Sequence, residues 1–176
     1  MFELERPPHR VYAGPHEAQA ERIRELHRYW LSKCVAGAPP RRSAIDPSEI
    51  RALLPHLILA EIGAAPFSIR YRLVGTAVAK AHHDDFTGRP HDTVTSLAGA
   101  GLEDSYRRAV QRGAPVFGCS GLNAGDQTWI GFEYAILPLS EDGRTIDRCL
   151  AMEIPNPPDL SLLEAGSGPI RPIPEP

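Results

Sequence analysis

The densest run of chemistry-bearing side chains in this 176-residue chain is His82-His83-Asp84-Asp85, with His91-Asp92 shortly downstream. Imidazole and carboxylate are the ligand types that zinc and iron take. His82, His83 and Asp85 are therefore the metal-ligand candidates, and a metal-dependent hydrolase or phosphatase is the chemistry they would serve. The spacing argues against it. Adjacent histidines on a short helix rarely both point at one ion, and phosphohydrolases built on a His-Asp pair collect ligands from several helices, whereas the sequence here is strand-rich. The plainer reading is a solvated helix end with capping aspartates.

Other candidates are thinner. Glu133 and Glu153 fall inside apolar strand-like runs, where a buried carboxylate can act as an acid or base. Pairing is the commoner fate, and Arg70 or Arg72 are the expected partners. Arg41-Arg42 and Arg107-Arg108 suit phosphates or plain solvent. Ser120, in Cys119-Ser120-Gly121, lacks the Gly-x-Ser-x-Gly elbow that exposes a nucleophile. Phosphate loops and dinucleotide fingerprints are missing as well. Cys34, Cys119 and Cys149 are odd in number and far apart, which fits neither a disulfide framework nor a metal site. They read as small buried hydrophobes in a reducing setting. No catalytic residue is assigned.

The elements that position these groups follow from periodicity. Phe67, Ile69, Tyr71 and Leu73 alternate with Ser68, Arg70 and Arg72, which predicts a half-buried strand. Gly75 ends it, and Thr76 opens an alanine-rich helical turn over Ala77–Ala81 that leads into the histidines. Leu57–Ile62 precedes it as a buried strand, making a hairpin. Leu102–Arg112 has helical spacing and stops at Gly113. Pro115–Ser120, Thr128–Leu139 and Thr145–Ile154 complete five strands, with Pro138 required at a strand end or edge. Upstream, Asp46-Pro47-Ser48-Glu49 starts a short helix. His16–Val35 reads as a charged helix with one apolar stripe: Ile23, Leu26, Trp30 and Cys34, with Tyr29 beside it.

Composition sets outer limits. The net charge of −3 and pI of about 6.2 give no general nucleic-acid footprint and no polybasic anchor. Apolar runs fall short of the roughly 20 residues a membrane helix needs, so neither nucleic acid nor membrane insertion is expected and the location is expected to be cytoplasmic. Residues 1–15 read as irregular, 16–37 as the N-terminal helix, 38–154 as one domain and 155–176 as a proline-rich tail. The fold class is α+β: a five-stranded antiparallel sheet with helices on one face, and the N-terminal helix on the other face or in a dimer.

Leu26-His27-Arg28-Tyr29-Trp30, Asp46-Pro47, Leu53-Leu54-Pro55-His56-Leu57, Tyr71-Arg72-Leu73-Val74-Gly75-Thr76, Asp85-Phe86-Thr87-Gly88 and Leu137-Pro138-Leu139-Ser140 before Asp142-Gly143-Arg144 resemble, in that order, a stand-alone PAS-like family common in alphaproteobacteria. The likeness runs from about Leu26 to Ile154. It implies a non-enzymatic sensory or regulatory module that pairs with itself or with a signalling partner and takes a small ligand, or none, between sheet and middle helices. Tyr71, Leu73, Phe86, Tyr106, Val110, Trp129, Phe132 and Tyr134 are the ligand-pocket candidates. Ile23, Leu26, Tyr29, Trp30 and Cys34 are the homodimer-interface candidates. The cofactor is left unnamed. Haem is not expected, because Leu102–Arg112 offers no axial histidine, and flavin is not expected, because no cysteine stands on the helix after the second strand. A ligand-free interaction scaffold is the further alternative, beside the metal-dependent hydrolase.

Overall fold

A computed structural model describes residues 9–123 and 129–155, with backbone alone at residues 123 and 129. The strands are β1 (Arg10–Val11), β2 (Leu57–Ala64), β3 (Phe67–Val74), β4 (Val116–Asn123), β5 (Trp129–Leu139) and β6 (Arg148–Pro155). The α-helices are α1 (Glu21–Lys33), α2 (Thr76–His82) and α3 (Leu102–Arg112). All six strands form one antiparallel sheet in the order β1-β4-β5-β6-β2-β3.

The sheet is covered on both faces, so its strands are apolar on both sides rather than alternating in and out of water. On one side Ile58, Ala60, Tyr71, Phe132, Tyr134, Ile136, Cys149 and Ala151 meet α2, α3 and the segment between them. On the other Leu57, Phe117, Ala135, Leu137, Leu150 and Met152 meet α1 and the turns that follow it. Each buried large side chain on such a layer contributes on the order of 1.5–3 kcal/mol.

Five expected strands are present and a sixth is added. The segment read as irregular, residues 1–15, contains β1, whose Arg10 and Val11 pair with Cys119 and Gly118 of β4. Gly118 makes this pairing possible, because a Cβ there would run into the Arg10 carbonyl and the Tyr134 ring. Residues 1–8 and the expected tail beyond Pro155 lie outside the described residues. The first helix begins at Glu21 rather than His16. Pro15–Glu17 form a single 3₁₀ turn, and extended Ala18 and Ala20 separate it from α1. Propensity favours helix from residue 16, yet the chain there is held to β5 by hydrogen bonds described below. The Asp46 cap takes its expected form, with Oδ1 accepting from the Ser48 amide at 2.8 Å, although the element it caps is 3₁₀.

Pro138 sits next to last in β5, opposite Cys149 of β6 and beyond the last β4 pair at Ile136. It therefore deprives no β4 partner of an amide donor. Its carbonyl accepts from the Trp30 indole nitrogen at 2.9 Å. This bond fixes α1 on the sheet, and Ile23, Leu26 and Trp30 are all buried within the chain. The stripe read as an interface between copies thus finds its cover in cis.

Candidate functional site

The interior between sheet, α2 and α3 holds a polar cluster inside an apolar shell. His82 is the last residue of α2. Its Nε2 lies 2.7 Å from Glu153 Oε2 on β6, and its Nδ1 lies 2.7 Å from Ser96 Oγ. The His82 and Glu153 side chains are 0% and 7% exposed. Leaving either partner alone there would cost its full desolvation, so the three groups behave as one unit. Strand parity explains Glu153: it shares a face with Cys149 and Ala151, which belong to this core. His83 follows in the left-handed conformation (φ 53°) and terminates α2, with its amide reaching back into the helix.

Phe86 bridges this cluster to a second one. Its ring meets His82 edge-on at 4.9 Å and Tyr71 edge-on at 4.8 Å. The Tyr71 hydroxyl and His91 Nδ1 are 2.6 Å apart. Burial pushes the Tyr71 phenol well above its ordinary range, and the Glu153 charge adds to this. Tyr106 is pushed up in the same way by burial, then by Tyr71, Cys149 and Glu153. Burial lowers the His91 imidazole, opposed by Glu103, Glu153 and Asp92.

His91 also forms a wall of a surface cleft of about 200 Å³, together with Phe67, Ile69, Asp92 and Glu103. The Arg107 guanidinium sits at its rim, 4.2 Å from the Phe67 ring centroid and bonded to Glu103 at 2.7 Å. A chain of contacts therefore runs from solvent through His91 and Tyr71 to Phe86, His82 and Glu153.

The expected pocket residues divide. Tyr71, Phe86, Tyr106, Phe132 and Tyr134 are buried on this face, with Val110 packed against them. Leu73 is not among them. It is 49% exposed, because β3 carries an irregularity at Arg72: Leu73 pairs with Leu59, and Tyr71 already pairs with Ala60. The extra residue reverses the alternation and turns Leu73 outward. Trp129 lies in β5, and its side chain lies outside the described residues.

The histidine–aspartate cluster is dispersed by its own backbone. His82 turns inward, His83 is exposed, Asp84 pairs with Arg89 at 2.5 Å, and Asp85 Oδ1 accepts from the Thr87 amide at 3.0 Å. Among the described residues, no group of three or more metal-ligating side chains converges.

The expected arginine partners of the strand carboxylates are also replaced. Arg72 pairs with Glu61 and Arg70 donates to the Gly88 carbonyl, because both lie outward on the edge strand β3. Glu133, on the α1 face, accepts from the Tyr12 hydroxyl (2.8 Å), the Gln19 amide (3.0 Å) and the Ala20 amide (2.8 Å). It is a clamp for the chain entering α1. Tyr134 meets His9 Nε2 and Ser105 Oγ, each at 2.8 Å, on the opposite face. Tyr12, His9 and Ser96 carried no signal in the sequence, since each lies in a segment without periodicity.

Comparisons with known proteins follow this geometry. Comparison with curated proteins gave no match. Fifteen chains of solved structures match. One of them, described as an RNA-binding Light-Oxygen-Voltage receptor, has a TM-score of 0.47 and 16% identity, over 69% of this chain and 36% of that one. This chain thus spans well under half of that receptor's length. A family model described as a PAS domain matches residues 18–152. Over that span, and with its antiparallel sheet flanked by helices, the chain belongs to the PAS domain family.

Proposed function

We propose that the chain is a non-enzymatic sensory or regulatory module that reads a small polar ligand through the His91 cleft. Membership of the PAS family supports the sensory role. The observation that carries the ligand reading is the continuous path from the cleft to the buried His82–Glu153 pair. Asp92 and Glu103 line the entrance, so a neutral or cationic ligand suits it better than an anion. A ligand that replaces the Tyr71–His91 bond would favour one packing of Phe86 over another, and only such differential affinity can transmit a signal. No helix among the described residues is long and apolar enough to cross a membrane. We place the module in the cytoplasm.

Native mass spectrometry of freshly purified full-length chain tests the ligand reading. A retained small molecule, lost in His91→Ala, supports it. A bare polypeptide whose melting no small polar compound shifts leaves a scaffold instead.

Self-association is the second part of this proposal, and its surface differs from the one first expected. Leu31, in the last turn of α1, and Val35, just beyond the helix, are 50% and 76% exposed, with Tyr29 and Cys34 half-buried beside them. A two-fold pair through this end of α1 is the arrangement we propose. Sedimentation that shows a dimer in the wild type and a monomer in Val35→Glu supports it; a wild-type monomer at micromolar concentration removes it.

A further inference from the structure

A second concavity, of about 260 Å³, lies far from the His91 cleft in sequence and in lining. It is enclosed by Tyr12 and Gly14 of the entering chain, His27 of α1, Arg108 and Arg112 of α3, and Phe117 of β4. We propose that this groove binds a small aromatic carboxylate.

Arg108 and Arg112 are one turn apart on α3, so their side chains lie side by side. Neither makes an ion pair among the described residues, whereas Arg107, just before them on α3, is paired with Glu103. Arginine in a last helical turn is favourable in itself. Here both side chains, although exposed, also border the groove. Glu133, below the groove, is already satisfied by the Tyr12 hydroxyl and two amides. Glu17 is held by Arg10. Among the described residues, the cations facing the space are thus left without an ion-pair partner.

His27 meets Phe117 edge-on at 5.1 Å and stacks on buried Trp30 at 6.4 Å, which gives the groove an aromatic wall. Burial lowers the His27 imidazole, which favours its neutral form. Among the described residues it makes no hydrogen bond, and a neutral imidazole with a free N–H can donate to a carboxylate oxygen.

These two features select the ligand class. Inorganic phosphate would meet the arginines but has no apolar face for Phe117 and His27. A dianion is also less welcome, because α3 ends at Arg112 on the groove's lining and a helix C-terminus disfavours negative charge. A single carboxylate on a flat ring satisfies both walls, and the groove's small volume limits it to about one ring.

Titration calorimetry and amide NMR of the full-length chain with benzoate test the proposal. Benzoate is expected to bind saturably and to shift the amides of His27 and Phe117. The double variant Arg108→Gln/Arg112→Gln is expected to bind about tenfold more weakly or worse. Both arginines are exposed, so its melting temperature should match the wild type. Benzyl alcohol and inorganic phosphate, each carrying one of the two features, should bind about tenfold more weakly than benzoate. Unsaturable binding, unchanged affinity in the double variant, shifts centred on His91, or phosphate binding as tight as benzoate would each overturn it.

Discussion

His82 on α2 and Glu153 on β6 are joined by a 2.7 Å hydrogen bond between side chains almost wholly withdrawn from solvent. The bond ties a short helix to an interior strand, and Ser96 holds the other ring nitrogen.

Removing one partner should therefore be expensive. Glu153→Ala leaves the imidazole without its acceptor and is expected to cost about 3 kcal/mol of stability. Glu153→Gln keeps an acceptor of the same shape and should cost about 1 kcal/mol. Urea titrations of both variants give the comparison; equal losses would mean that the carboxylate is not hydrogen-bonded to His82 in solution.

Trp30 secures α1 on the opposite face. Trp30→Ala removes a buried indole and orphans the Pro138 carbonyl, for an expected loss of about 4 kcal/mol. Trp30→Phe keeps much of the packing and should lose about 2 kcal/mol or less. If the two variants unfold together with the wild type, α1 does not rest on the sheet.

The exposure of Leu73 gives a sharp contrast with its neighbour. Leu73→Ser should change stability by less than about 0.5 kcal/mol, while Tyr71→Ala should cost about 4 kcal/mol. A large loss in Leu73→Ser would place it in the core and deny the irregularity at Arg72.

Acid should weaken the fold in two stages. His9, His27, His56 and His91 are all lowered from 6.5, chiefly by burial. Between 6.5 and their native values the unfolded chain binds more protons, so their contribution is complete above 6.5 and is lost as pH falls through that window. Asp46 and Asp85, lowered from 3.8 by hydrogen bonds to Ser48 and Thr87, add a second loss below about pH 4. Urea midpoints should fall between about pH 7.5 and pH 5.5, and fall less in His91→Gln. A flat profile over that range would contradict the burial of these rings.

The sheet and the two middle helices are legible in the sequence because their signals are local. Alternation through Phe67–Tyr71, glycine stops at Gly75 and Gly113, and the Asp46 cap each depend on a few neighbours. The failures come from distant partners. Helix α1 starts late because Glu133, on β5, holds Gln19 and Ala20 extended. Strand β1 exists because Gly118 admits the Arg10 backbone. Leu73 leaves the pocket through a single extra residue in its strand. Of the candidate site, the burial of Tyr71 was legible from the alternation of its strand. The His82–Glu153–Ser96 unit was not, because three residues so far apart in sequence share no pattern that announces their meeting.

The contacts from His91 through Tyr71 and Phe86 to the His82–Glu153 pair are proposed to read a ligand arriving at the cleft. Thermal unfolding of the full-length chain against small neutral and cationic polar compounds, run in parallel with Tyr71→Phe, tests it most directly. At least one compound is expected to raise the wild-type midpoint saturably and to lose most of that effect in Tyr71→Phe, which lacks the hydroxyl facing His91. A shift of equal size in both proteins, or no shift with any compound, would contradict it.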